Sequence, residues 1–93
     1  MEADSYLVVN GGRVIVGVDV IMAREGWASI VLTYADATTH VSHHTDSGLA
    51  IQWALVVLSP LGEDRLLKLF MQAAEDGYAS LRASRSSIKR VND

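Results

Sequence analysis

Apolar and polar residues alternate along Arg13 to Met22, with Val14, Val16, Val18, Val20 and Met22 on one side of the chain and Arg13, Ile15, Gly17, Asp19 and Ile21 on the other. A period of two belongs to a strand, and the valine set predicts its core face. On the second side Ile15 and Ile21 flank Asp19, while Gly17 offers no side chain, so this side bulges or touches another backbone. Ahead of it, the β-branched run Tyr6 to Val9 stops at Asn10-Gly11-Gly12, and Asn-Gly tolerates the positive φ angles of a two-residue hairpin turn. After a turn at Ala23 to Gly26, Trp27 to Tyr34 alternates again, with Ala28, Ile30, Leu32 and Tyr34 as the better core set. Ala37 to His43 then predicts a fourth strand, polar and short, at a sheet edge.

The pattern changes at Ser47. From there to Ser59, Leu49, Ile51, Trp53, Leu55, Val56, Val57 and Leu58 leave Gln52 as the only long polar side chain, which predicts a helix buried on every side. It is too short for the roughly 20 apolar residues of a membrane span. Thr45, Asp46 and Ser47 supply N-cap oxygens for it. Ser59-Pro60 ends this helix and starts the next. In the second helix Leu67, Phe70, Met71, Ala74, Tyr78 and Leu81 recur at three and four, opposite an outer face of Asp64, Lys68, Gln72, Glu75 and Asp76. Gly77 weakens it and bends it or ends it early. The fold class expected is therefore α+β: an antiparallel three- or four-stranded β-meander followed by two C-terminal helices packed on one face.

Ninety-three residues make one domain, expected to span 1–81, with 82–93 a basic, frayed tail. Hydrophobic residues are 49% of the chain and charged residues 20%. For so small a core this leaves apolar surface to meet a partner. Residues 1–81 carry Arg13, Arg24, Arg65 and Lys68 against ten acids, and the tail carries Arg82, Arg85, Lys89 and Arg90 against Asp93, so the formal charge of -3 divides into an acidic body and a basic end. An acidic body repels a phosphate backbone, and the basic end is a small footprint for nucleic acid. With no cysteine, disulfides and thiolate metal sites are excluded. The opening residues lack a basic start followed by a long apolar run, so no export is expected and the location expected is cytoplasmic.

No motif calls for catalysis or a cofactor. Asn10-Gly11-Gly12 lacks the spacing of a nucleotide loop, and no serine sits in a nucleophile elbow. The acids are scattered or adjacent, as on a wet helix face. His40, His43 and His44 suggest zinc, but in a strand His43 and His44 point to opposite faces and His40 lies about 13 Å from His44, so one metal cannot take all three. No metal site is expected.

These readings converge on a non-enzymatic protein-binding module that acts by occupying a partner protein's surface. In size and acidity it is similar in character to the inhibitors that phages and mobile elements direct at host defences, anti-CRISPR proteins among them. The partner-binding residues expected are Asp64, Lys68, Glu75, Asp76, Arg82 and Arg85. A homodimer is expected through Ile15, Ile21, Trp27 and Val31, where a tryptophan lies among aliphatic residues. The alternative is a small nucleic-acid-binding regulator using the basic tail. No membrane partner is expected.

Overall fold

The computed structural model describes residues 6–83. Strands β1 (Val8–Asn10), β2 (Arg13–Met22), β3 (Ala28–Tyr34) and β4 (Thr39–His44) form an antiparallel meander, followed by helices α1 (Ser47–Val57) and α2 (Glu63–Asp76) and a last strand, β5 (Tyr78–Arg82). The class is α+β. β1 and β5 share the same side of β2: β1 pairs with Arg13 to Ile15 and β5 with Gly17 to Ile21. The hairpin joining β1 to β2 turns on Gly11 and Gly12, with φ of 59° and 80°, the two left-handed residues that a twisted hairpin requires.

The helices cover one face of the sheet. Ile15, Val18, Val20, Ile30 and Leu32 from the sheet meet Ala54 and Leu58 of the first helix and Leu66, Phe70 and Ala73 of the second, all buried. Ile15 was expected on the far face. The register between β2 and β3 slips between Ile15 and Gly17, so Val16 is an inserted residue that reverses the alternation. Ahead of the bulge the core residue is therefore Ile15, and Val14 is only half-buried.

Further expectations change. The second helix buries Leu66, Leu69, Phe70 and Ala73, so that Phe70 alone of its expected stripe is buried, and Leu67, Met71 and Ala74 face outward. The first helix is not buried on every side: Ala50 and Ala54 sit against the sheet, while Leu49 and Val56 are 51% and 76% exposed. One sheet and two helices supply no third layer to cover its outer side. Asp46 caps it as expected, its carboxylate accepting from the Gly48 and Leu49 amides at 2.6 and 3.3 Å. A 3₁₀ turn, Ser59–Leu61, intervenes before α2, whose first turn carries Glu63 and Asp64. The second helix stops at Gly77, which takes a left-handed φ of 81°. Tyr78 and Leu81 are consequently on a strand, and Arg82, placed in the tail by its sequence, closes β5 opposite Gly17. Ala83 follows it, its amide donating to the Val16 carbonyl at 2.9 Å, and residues 84–93 of that tail lie outside the described residues. Among the described residues no helix is long and apolar enough to cross a membrane.

Candidate interaction surface

The sheet face away from the helices is a grid of side chains. Strand pairing sets Tyr78, Ile21, Ser29 and His43 in one row, Ser80, Asp19, Val31 and Val41 in the next, and Arg82, Gly17, Thr33 and Thr39 in the third. Because antiparallel partners share a face, these twelve positions face one way. Among the described residues no element covers them.

Apolar and polar groups are interleaved on this face. Trp27 stands at its end, 37% exposed, with its ring 5.3 Å from the imidazole of His43. Beneath them, Ser29 Oγ and His43 Nδ1 are 2.7 Å apart. Val41, Tyr78 and Ile21 are exposed. At the β5 side, Asp19 accepts from the Tyr78 hydroxyl at 2.5 Å and from Arg82 Nη2 at 3.0 Å. Arg82 reaches it by lying across Gly17, where a Cβ would come within 2.1 Å of Nη1. The missing side chain of Gly17 is thus the space in which this ion pair forms. Its charges cancel locally, so the face carries a neutralised pair among its aromatic and aliphatic groups.

Asp19 is engaged with Tyr78 and Arg82, two strands from His43, so among the described residues it does not orient the serine and histidine of the first row. The other two histidines are on the opposite face: His40 stacks on Trp53 of α1 with centroids 6.4 Å apart, and His44 tilts against the same ring at 5.6 Å. Among the described residues no three histidine or carboxylate groups come together as metal ligands. At the tip of the β3–β4 turn, hydrogen bonds from the Thr38 hydroxyl and amide, with Arg13 nearby, hold the Asp36 carboxyl below its ordinary value.

Of the expected dimer residues, Ile21, Trp27 and Val31 are brought together here, whereas Ile15 is fully buried under the helices and leaves the set. Four of the expected partner-binding residues share one helix: Asp64, Lys68, Glu75 and Asp76 are exposed on α2, with Asp64 and Glu75 about 16 Å apart along its axis. Arg82 belongs to the sheet face instead, and Arg85 lies outside the described residues. Lys68 shares with Arg65 the rim of a groove of about 470 Å³ between the second helix and β5. Asp76 accepts from Gln72 one turn earlier. Tyr78, Asp19 and Arg82 were the residues that the sequence pattern obscured: a helix reading of 78–81 hides the strand that carries two of them.

Fold and surface together define a small two-layer α+β protein with one open sheet face. No family model, curated protein or solved structure matches the chain.

Proposed function

We propose that this protein is a non-enzymatic protein-binding module that occupies the surface of another protein with its open sheet face. The observation that carries the reading is the composition of that face: Trp27, Ile21, Val41 and Tyr78 open to water, interleaved with hydrogen-bonded polar groups. Exposed aromatic and aliphatic side chains among satisfied polar groups are how non-obligate protein interfaces are built, and a few aromatic anchors hold most of the binding energy. The acidic residues of the second helix, Asp64, Glu75 and Asp76, then act at a distance, steering association with a basic partner and making its rate salt-dependent.

Affinity capture from lysate of the source organism, with and without nuclease, tests this. The expected result is a protein partner that survives nuclease and is lost with Trp27→Ala, a truncation that weakens binding about 30-fold or more if Trp27 is a hot spot. Recovery of nucleic acid alone, with affinity falling steeply in salt, would assign the function to the basic tail and overturn the reading.

A further inference from the structure

We propose that two copies of this chain join edge to edge through β4, antiparallel about a twofold axis perpendicular to the sheet, with α1 of one copy against α1 of the other. Among the described residues β4 pairs only with β3, which leaves the backbone groups of one edge open along about 20 Å. Such edges are ordinarily guarded by charge, proline or a bulge. Thr39 to His44 contains no lysine, arginine, carboxylate or proline, and its register with β3 is continuous.

The helix above this edge is equally unguarded. α1 contains no formally charged residue. Leu49, Trp53 and Val56 follow one another at spacings of four and three, a single stripe. Trp53 rests on His40 and His44 of β4, so the stripe overlooks the open edge. Among the described residues nothing hides Leu49 and Val56, the latter being 76% exposed. Between Ala37 and Gly62 the only formal charge is Asp46, whose carboxylate is occupied at the helix cap.

Charge and symmetry select a second copy as the occupant. Acids outnumber bases over the described residues, so two copies of the chain meet with least repulsion through a charge-free surface. A twofold contact also meets both needs at once. Residues of like parity face one another across the axis, setting His40, Ser42 and His44 under the helices, and the two unpaired edges satisfy each other's backbone groups. The same axis sets the apolar stripes of the two helices side by side. A standard stable interface buries about 800 Å² from each copy, so the contact needs the helix stripe as well as the strand edge. The open sheet face remains free in this dimer, so the proposal stands or falls separately from the reading given above.

Sedimentation velocity on the full chain, from micromolar to near-millimolar concentration, reads the result directly. The expected outcome is a reversible species of twice the 10.1 kDa chain mass. Val56→Glu sets two like charges against each other and should weaken the dimer by about a hundredfold or more. Val56 is largely solvent-exposed, so circular dichroism and melting temperature should match the parent at a dilution where both are monomeric. Trp27→Ala should leave the dimer unchanged. A monomer at every concentration overturns the proposal, as does a dimer that survives Val56→Glu or that disappears with Trp27→Ala.

Discussion

Ala37 holds φ at 74° in the turn between β3 and β4, a left-handed conformation that costs a residue bearing a Cβ about 1–2 kcal/mol. The turn retains it because neighbours fix the geometry: Asp36 accepts from the Thr38 amide and hydroxyl, and the Ala37 amide donates to the Tyr34 carbonyl. Arg13 steadies the same corner, its guanidinium 3.8 Å over the ring of Tyr34 and its Nη2 donating to Thr38. Ala37→Gly should relieve the strain, with part of the gain offset by the greater freedom of glycine in the unfolded chain. A net gain of about 1 kcal/mol would raise the melting temperature by about 4–8 °C. A thermal melt that moved downward would show that the strain is not there to relieve.

Gly77 has the corresponding importance among the elements, because it divides a helix from a strand. Its left-handed φ ends α2 and turns the chain so that β5 returns beside β2, bringing Tyr78 and Arg82 to Asp19. A Cβ at this position would meet only the Met22 carbonyl, at an ordinary 3.8 Å, so the penalty for Gly77→Ala is conformational. It should destabilise the fold by about 1–2 kcal/mol and loosen the amides of β5 first in hydrogen exchange. Uniform loss of protection across the sheet would contradict that local role. The strand was hidden in the sequence because Tyr78 and Leu81 continue, by coincidence, the spacing of the helix before them. The meander, the Asp46 cap and the presence of the two helices were legible, since each rests on local chemistry: alternation, a cap oxygen, a proline. Which face each helix buries was not, since Leu66, Leu69 and Ala73 replace Leu67, Met71 and Ala74 in the core and Leu49 and Val56 stand exposed. Val16 was not, because an inserted residue leaves no mark on composition and shows only when two strands are paired. The surface grid was half legible for the same reason. Ile21, Trp27 and Val31 follow from alternation, but their neighbours on β4 and β5 depend on register.

At the scale of the molecule, one layer of helices on one sheet leaves two surfaces that no element among the described residues covers. They differ in chemistry. The sheet face mixes Trp27, Ile21 and Val41 with the Asp19, Arg82 and Tyr78 hydrogen bonds, while the edge formed by β4 and α1 carries no charge at all. Mixed surfaces suit partners that come and go, and apolar ones suit copies of the same chain. The apolar residues of this small protein divide, on the two proposals, between two kinds of contact. Trp27 fluorescence separates them most directly, because in a Trp53→Phe chain it is the sole tryptophan. Dilution from high to low concentration should leave its emission unchanged, since the dimer edge lies elsewhere. Saturation with the captured partner should shift the emission to the blue and protect it from acrylamide. Bound partner with Trp27 emission and quenching unaltered would contradict the account.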